Sequence, residues 1–201
     1  MNILKIPDDG TLIRLPDAQF RYFKHFFSAL EAQQLYTQLE EQTQWQQDPI
    51  TVFGKTYSQP RLTALYAHTT TPYRYSGITM HPQSITPLLL TIQKKINTVI
   101  PEPFTTVLLN LYRDGNDSNG WHADNEKELG ENPQIASVSF GAERYFHCKH
   151  RTLKDMRFKL LLHSGSLLLM EGKMQHHWLH QLPKTSRTIT PRINLTFRKL
   201  T

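Results

Sequence analysis

Two groups of residues in the sequence have the chemistry of metal ligands. His122 and Asp124 form a His-x-Asp pair, and three histidines cluster far downstream: His176, His177 and His180. If the first segment is extended, its imidazole and carboxylate converge, because side chains i and i+2 of a strand lie on the same face. One further imidazole would complete the two-histidine, one-carboxylate set of non-haem Fe(II) oxygenases, which leaves open positions for a chelating co-substrate and O₂.

This metal pattern has alternatives that the residues alone leave open. A His-x-Asp triplet also occurs in solvated turns, and a chain with 10 histidines is expected to contain some such triplet by chance. Each histidine of the downstream cluster can equally be a ligand, a hydrogen-bond partner of a ligand or a surface residue. Spacing therefore does not assign the third ligand.

The C-terminal segment from Pro191 to Arg198 alternates strictly between polar and apolar residues. Such alternation predicts a strand with one face toward the core. The predicted core face carries Ile193, Leu195 and Phe197, and the other face carries Arg192, Asn194, Thr196 and Arg198. Arginines suit bidentate binding of a small dicarboxylate, and Asn110 with Tyr112 forms a second i, i+2 pair that could enter the same cavity. A solvated polar face would show the same alternation.

Two helices are predicted in the first half of the chain, where they would support these strands. Ser28-Ala-Leu-Glu31 has the form of a capping box, so a helix should follow to about Trp45. Thr86 and Pro87 are the types preferred at the N-cap and first position of a second helix, which Pro101 would end. Apolar residues recur at helical spacing in both segments, which predicts that both helices face the core.

Short runs of β-branched and aromatic residues dominate the chain after Pro103. The predicted strands are Phe104 to Tyr112, Ile135 to Phe140, Arg157 to Leu162, Ser166 to Met170 and Arg192 to Phe197. Many short strands separated by turn residues indicate a β-sandwich or jelly roll. The sequence thus predicts an α+β fold, with helices and an irregular flank in residues 1–100 and a β core in residues 101–201, as one compact domain.

The charge distribution favours a polyanionic partner. Residues 141–201 hold 12 Lys/Arg and 3 Asp/Glu, whereas the remainder holds 11 and 14, so a net charge of +9 contrasts with one of −3. A basic half attracts phosphates and displaces their counterions, although a merely basic soluble protein has the same composition.

The single cysteine, Cys148, excludes an intrachain disulfide framework. No signal peptide or membrane-spanning run is evident, so a cytoplasmic location is expected.

Taken in order, these motifs resemble the AlkB family of base-repair dioxygenases. The resemblance rests on Asn110-x-Tyr112, Trp121-His-Ala-Asp-Asn-Glu126, Ile135-Ala-Ser-Val-Ser-Phe-Gly-Ala142 with Arg144, Ser164-Gly-Ser-Leu167, His177-Trp-Leu-His-Gln-Leu-Pro183 and Pro191-Arg-x-Asn-Leu-Thr-Phe-Arg198. It covers roughly residues 50 to 200, and the ordered combination is far more specific than any one piece. It is closest to the branch of the family that repairs duplex DNA.

The resemblance implies a cofactor set, a ligand set and a fold. It assigns the third Fe(II) ligand to His180, beside His122 and Asp124. The residues that it implies for 2-oxoglutarate binding are Asn110, Tyr112, Arg192 and Arg198, assisted by Asn194 and Thr196. The two arginines would take the two carboxylate ends of the co-substrate. The expected fold is the double-stranded β-helix, a jelly roll with the iron inside one open end, flanked by N-terminal helices and a substrate-binding lid.

Two segments of the first hundred residues resemble the substrate elements of the same branch. Val52-Phe53-Gly54-Lys55 is similar to a wedge hairpin that enters the duplex and fills the gap left by a flipped base. Tyr73 and Tyr75 are similar to a wall of the base pocket, with Tyr75 stacking on the base. A buried strand and ordinary strand aromatics are the alternatives. Asn125 stands where close relatives often have an acid, and Glu126 could still contact the base.

The implied activity is oxidative demethylation of 1-methyladenine and 3-methylcytosine in DNA, with release of formaldehyde and succinate. The alternative is the same oxygenase chemistry on methylated RNA or a protein side chain. The basic segment from Lys149 to Lys159, with Lys184 and Arg187, would grip phosphates, or it is only a solvated hairpin. The expected partner is DNA in duplex form, bound by a monomer that works at the nucleoid or, in a eukaryote, in the nucleus.

Overall fold

The computed structural model describes residues 6–52, 55–69, 73–75 and 78–200, with the backbone alone for 50–52, 73–75 and 78–80. Its helices are α1 (Ala29–Gln42), α2 (Pro87–Ile96) and the short α3 (Met174–His177). The strands of the first hundred residues are β1 (Ile13–Leu15), β2 (Ala18–Phe23), β3 (Pro49–Val52), β4 (Lys55–Ser58), β5 (Leu62–Ala67), β6 (Tyr73–Tyr75), β7 (Ile78–Met80) and β8 (Gln83–Ser84). The later strands are β9 (Thr106–Tyr112), β10 (Asn119–His122), β11 (Ile135–Gly141), β12 (Arg144–His150), β13 (Arg157–Leu162), β14 (Ser166–Glu171), β15 (Trp178–Leu182) and β16 (Arg192–Arg198).

Two sheets form the body of the protein. The major sheet has eight strands in the order β1-β2-β14-β11-β16-β9-β5-β8, and its neighbours are antiparallel except for the pair β5 and β8. The minor sheet has four antiparallel strands in the order β10-β15-β12-β13. The pairs β3–β4 and β6–β7 form two separate hairpins.

Hydrophobic packing covers both faces of the major sheet. One core lies between this sheet and the two long helices, with Leu39 of α1 and Ile92 of α2 packed among the strand residues Val138 and Leu195. The second core lies between the two sheets and includes Leu168 of β14 and Phe158 of β13. Two facing antiparallel sheets around a shared core are the jelly-roll arrangement that the resemblance implies, so the predicted α+β fold is confirmed.

Both predicted helices are present, and both end earlier than predicted. Ser28 caps α1 through a complete capping box with Glu31, and the helix ends at Gln42 because Thr43 is extended. Thr86 caps α2, whose first residue is Pro87, and the helix ends at Ile96, before Pro101 is reached. The start of each helix is marked in the sequence by a capping side chain that bonds to the backbone nearby. The ends of these two helices have no comparable mark in the sequence. None of the described helices has the length and apolar composition that crossing a bilayer requires.

The five predicted strands of the second half are present within one or two residues of the predicted bounds. The sequence patterns missed β10, β12 and β15, because polar, basic and histidine residues interrupt the apolar runs of these strands. They also missed the strands of the first hundred residues, four of which (β1, β2, β5 and β8) belong to the major sheet. There β2 pairs with β14 and β5 pairs with β9, so the sheet is continuous across residue 100.

Candidate metal and co-substrate site

An open cavity lies between the two sheets. Its walls come from β9, β11, β14 and β16 of the major sheet and from β10, β12, β13 and β15 of the minor sheet. The lining residues are Asn110, Tyr112, Asn119, His122, Asp124, Ser137, Phe146, Leu162, Met170, His180, Leu182, Arg192, Asn194, Thr196 and Arg198. The cavity therefore combines a polar wall on the major sheet with histidines and apolar residues on the minor sheet.

Three ligand-type side chains meet inside this cavity. His122 ends β10, Asp124 follows two residues later, and His180 lies on β15 directly across from His122 in the strand register. One ligand atom from each lies within 4.8 Å of the other two. Asp124 and His180 are buried, and His122 is partly exposed. The arrangement matches the two-histidine, one-carboxylate set that binds Fe(II) with open positions.

The strand register decides between the three histidines of the downstream cluster. His180 is the member that faces the cavity. His176 and His177 belong to α3, before β15 begins, and neither lines this cavity. Because α3 and β15 differ in conformation, residues three positions apart in sequence face different environments.

His177 belongs to a second cluster, with Asp17 and His150, whose ligand atoms also lie within 4.8 Å of one another. The backbone amides of Thr152 and Leu153 donate to His150 Nδ1. The proton of a neutral His150 ring must then sit on Nε2, which lies 3.3 Å from Asp17 Oδ2. A metal would need that nitrogen deprotonated, so this cluster is a structural link between the β1–β2 turn and the minor sheet.

Hydrogen bonds around the cavity triad fix the tautomer of His122 and leave one carboxylate oxygen of Asp124 without a protein partner among the described residues, while Asn119 Nδ2 donates to His122 Nε2 at 3.2 Å. His122 Nδ1 donates to the carbonyl of Gly120 at 2.7 Å, which puts the lone pair on Nε2. Arg198 Nη2 donates to Asp124 Oδ2 at 3.0 Å, and the buried Oδ1 has no hydrogen-bond partner in the described part of the chain. A buried carboxylate oxygen without a partner is costly unless a cation is bound there. The residues therefore fit a divalent metal ion.

The protonation states also suit a metal. Burial alone would raise the pKa of Asp124, but Arg198, His180 and His122 outweigh it and hold that pKa at about 2. Burial lowers the pKa of His180 to about 3 and also lowers the pKa of His122. An ionised carboxylate and two neutral imidazoles are the forms that bind metals, so no proton has to leave at neutral pH.

The polar wall of the major sheet has the donors that a dicarboxylate needs. Burial lowers the pKa of Arg192 to about 10, which keeps it charged at neutral pH, and its buried Nε has no hydrogen-bond partner among the described residues. Burial raises the pKa of Tyr112, so its hydroxyl remains a donor. Asn194 donates to Ser137 Oγ and accepts from Thr196. The alternation of β16 is as predicted, since Ile193, Leu195 and Phe197 lie in the opposite core.

Arg198 contacts Asp124 in this structure, so it links the polar wall to the metal triad. This buried ion pair is not evident from sequence, where both arginines were expected to take carboxylate ends of the co-substrate. Removing one partner of a buried pair typically costs roughly 3–5 kcal/mol because the other charge is left uncompensated. Arg198 therefore supports the carboxylate ligand as well as the cavity.

The residues expected to contact substrate are only partly described. Lys55 is exposed at the start of β4, where it pairs with Val52 across the hairpin, and Phe53 and Gly54 lie outside the described residues. Tyr73 and Tyr75 belong to β6, but their side chains lie outside the described part.

Just beyond the metal triad, Asn125 is exposed and Glu126 is half-buried. Burial, followed by the charge of Asp124, raises the pKa of Glu126, and its Oε2 atom has no hydrogen-bond partner in the described part. The carboxyl group of Glu126 is thus placed close to the triad without a protein contact at that oxygen.

Sequence reasoning missed several residues that organise the cavity. Gln175 accepts a hydrogen bond from the backbone amide of Asp124 at 3.0 Å, and Asn119 Nδ2 lies 3.2 Å from His122 Nε2. Ser139 accepts from Arg192 Nη2 at 2.7 Å. Only the serine had a signal, because Ser137 and Ser139 alternate with apolar residues along β11 in the same way as the polar residues of β16.

Comparison with known proteins agrees with this geometry. The sequence profile of the 2OG-Fe(II) oxygenase superfamily matches residues 19–198. The chain is 38% identical over 187 residues to the protein named "DNA oxidative demethylase ALKBH2" of Bos taurus, covering 87% of this chain and 66% of that protein. It is 41% identical over 182 residues to "Alpha-ketoglutarate-dependent dioxygenase alkB homolog 3" of Bos taurus, covering 86% and 63% respectively. The chain thus spans slightly less than two thirds of the length of each relative.

A solved structure titled "The structure of OsALKBH1" has the same fold. It superposes with a TM-score of 0.65 at 17% identity, covering 90% of this chain and 97% of that chain. The residues matched by the superfamily profile include both sheets, apart from β1 and the first residue of β2, and all three members of the metal triad. The family implies Fe(II), 2-oxoglutarate and O₂, so the predicted cofactor set is confirmed. The chain belongs to the 2OG-Fe(II) oxygenase superfamily, as an AlkB-like member.

Proposed function

We propose that this protein repairs N-alkylated bases in DNA, with 1-methyladenine and 3-methylcytosine as substrates, by oxidative demethylation. The observation that carries the proposal is the two-sided cavity, which has a metal triad on one wall and dicarboxylate donors on the other. The relatives named as DNA oxidative demethylases support DNA as the substrate.

His122, Asp124 and His180 would hold Fe(II). With 2-oxoglutarate bound, the metal would supply the activation of O₂: 2-oxoglutarate is oxidised to succinate and CO₂, and one oxygen atom of O₂ enters succinate while the other is added to the N-methyl carbon. Arg192 would pair with a carboxylate of the co-substrate, and Tyr112 and Asn110 would donate hydrogen bonds to it. The hydroxymethyl group then leaves the base nitrogen as formaldehyde, and that nitrogen is restored.

The minor-sheet wall keeps water away from the reacting atoms. Phe146 packs on His180 with ring centroids 5.1 Å apart, Leu162 and Leu182 extend the apolar lining beside the ligands, and Met170 of β14 in the major sheet adds to it. A dry wall strengthens the electrostatic interactions that orient the co-substrate. It also protects the activated oxygen from side reactions before substrate is in place.

The outward face of the minor sheet supports DNA as the partner. Lys149 lies over the exposed ring of Trp121 at 4.3 Å, and Lys159 lies over the exposed ring of Tyr145 at 4.8 Å. The exposed Arg157 is the strand neighbour of Lys149, so the basic residues form one continuous patch. Such a surface attracts a phosphate backbone. We define Lys149, Arg157 and Lys159 as the basic face.

The protein is proposed to act on duplex DNA as a monomer, wherever the cell keeps its DNA. The sequence Val52-Phe53-Gly54-Lys55, which resembles a wedge hairpin, supports the duplex preference, and Lys55 of this segment is exposed at the start of β4. An apolar wedge can occupy the space of a flipped base and offset an unstacking cost of a few kcal/mol.

Mass spectrometry of a DNA oligonucleotide with one 1-methyladenine tests the activity. Incubation with protein, Fe(II), ascorbate and 2-oxoglutarate should remove one methylene mass, and His180→Ala should abolish the loss while His177→Ala, on the other cluster, should not. Formation of succinate without base repair would reject methylated DNA as the substrate. Methylated RNA or a protein side chain would then be tested. Folded, metal-loaded protein that forms no succinate would reject the oxygenase function.

Phe53→Ala tests the duplex preference. We expect at least about tenfold lower activity on duplex, since the cost of flipping is no longer offset, and little change on the single-stranded oligonucleotide. Equal loss on both substrates would contradict the wedge role. Thermal unfolding of the variant serves as the control for folding.

A further inference from the structure

Arg61 is a buried arginine that lies behind the cavity wall. It follows the β3–β4 hairpin and immediately precedes β5. Its Nε donates to Asn110 Oδ1 at 2.8 Å, and its Nη1 lies 3.3 Å from the carbonyl of Ser118. Within the described part of the chain, no carboxylate forms an ion pair with it. A buried guanidinium held only by neutral oxygens is uncommon and calls for a role.

The contact with Arg61 determines how the Asn110 carboxamide is turned. A guanidinium has five donors and no acceptor, so the Asn110 atom at 2.8 Å from Nε must be the oxygen. The Nδ2 group of Asn110 is then the part of the carboxamide that remains for the cavity, which Asn110 lines. In the reverse orientation, an oxygen would be presented to any carboxylate bound there.

The surroundings of Asn110 favour a carboxylate as the partner of this Nδ2 group. Asn110 stands opposite Asn194 in the strand register, and Tyr112 and Arg192 form the next pair on the same face of these two strands. All four residues line the cavity. Donors from neighbouring positions of two strands are thus directed at one place, as binding of an anionic group requires.

We propose that Arg61 is a positioning residue for 2-oxoglutarate, which acts through Asn110 by holding its carboxamide with the amino group toward the co-substrate. The proposal rests on the function proposed above. Arg61 itself is held in place, because the backbone amide of Ser118 donates to the carbonyl of Pro60 at 2.8 Å beside the Arg61–Ser118 contact. The orientation of Asn110 is therefore set before the co-substrate arrives, and its binding needs no reorganisation of this group.

A double-mutant cycle measured by calorimetry tests this role without any turnover. 2-Oxoglutarate is titrated into the Mn(II)-loaded protein, with the variants Arg61→Leu, Asn110→Ala and the combination of both. We expect Arg61→Leu to weaken co-substrate binding by about tenfold or more, the typical loss for one hydrogen bond to a charged group. In the Asn110→Ala background the same substitution should change the Kd less than about twofold, because the group that it orients is gone.

Two further variants separate this role from charge and from misfolding. Arg61→Lys keeps the positive charge but not the geometry of Nε, so it should restore only part of the lost affinity. Gln93→Leu removes another buried polar side chain, which bonds to the carbonyl of Phe104 far from the cavity, and it should leave the Kd unchanged. In steady-state assays, Arg61→Leu should raise the KM for 2-oxoglutarate while kcat at saturation stays near the wild-type value.

The outcomes are distinct. Unchanged co-substrate binding in Arg61→Leu, equal losses in both backgrounds, or full rescue by lysine would each overturn the positioning role. Failure of the wild-type Mn(II)-loaded protein to bind 2-oxoglutarate would instead reject the proposed function itself. If Arg61→Leu does not fold, the comparison of Arg61→Lys in the two Asn110 backgrounds gives the same decision.

Discussion

At the scale of single residues, the support around Asp124 matters as much as the ligand itself. Arg198 holds one carboxylate oxygen, and Gln175 holds the backbone amide. The Gln175 amide nitrogen also lies 3.6 Å from Met170 Sδ, which keeps its oxygen turned to Asp124. Gln175 is five residues before His180, so it joins the two segments that carry the ligands.

We predict that Gln175→Leu weakens metal binding by about tenfold, because groups that orient ligands typically contribute that much to affinity. The measurement is Co(II) titration followed by absorbance. His177→Ala, on the same short helix but outside the triad, is the matched control and should bind Co(II) as the wild type does. If the Gln175→Leu variant binds Co(II) with the same affinity as the wild type, Arg198 and the strand register are sufficient to orient Asp124.

At the scale of elements, the two long helices are joined by a charged contact that supports the major sheet from behind. Glu31 of α1 completes the capping box with Ser28 and accepts from Lys95 of α2 at 2.7 Å. Lys95 also lies over the ring of Phe27 at 4.5 Å. The hydrogen bond from Lys95, followed by those within the capping box, lowers the pKa of Glu31 to about 2 from an ordinary value of 4.5.

This pKa shift predicts a defined pH window for the contribution of Glu31. Because the folded-state pKa is lower than the unfolded one, the stabilisation is fully present above pH 4.5 and is lost as the pH falls toward 2. Glu31→Gln should therefore be less stable than the wild type at neutral pH, and the difference should shrink across this window. Urea unfolding at several pH values measures it, and a difference independent of pH would contradict the assignment.

Patterns in the sequence predicted some helices and strands correctly and missed others. The start of α1 and the faces of β16 were predictable, since a capping box and strict alternation are local signals. The strands β12 and β15 were missed, because polar, basic and histidine residues interrupt their apolar runs; the more exposed positions of β12 include His147 and Lys149, and the buried face of β15 carries His180. Their positions depend on pairing with each other, which no local pattern records.

At the scale of the whole molecule, the basic face lies outside the cavity. It should therefore contribute to the affinity for DNA more than to the rate of demethylation. Replacing Lys149 and Lys159 by alanine should weaken duplex binding and reduce the slope of log affinity against log salt by up to about 0.9 for each phosphate that is no longer neutralised. Fluorescence anisotropy over a salt series gives the slope. Lys94→Ala, an exposed lysine on α2, is the control and should leave it unchanged. An unaltered slope in the double variant would place the DNA elsewhere.

The continuity of the major sheet leads us to infer that the chain folds as one unit. A fragment of residues 101–201 would lack β2 and β5, the strands that pair with β14 and β9, and the helices that cover one core. We expect this fragment to show neither cooperative thermal unfolding nor a near-UV circular dichroism signal. Cooperative unfolding of the isolated fragment would instead support two independent domains.

The sequence by itself determined the residue types of the site, their strand faces and the family. The types of the metal-ligand residues and the polar–apolar alternation of a strand can be read from short segments. The order of the motifs along the chain made their combination specific for the family. The family resemblance assigned the third ligand to His180, and the structure places it beside Asp124. The tertiary structure alone decided that Arg198 pairs with Asp124 and that Arg61 bonds to Asn110. These contacts join residues far apart in the chain, so they depend on sheet register and burial, which local patterns do not contain.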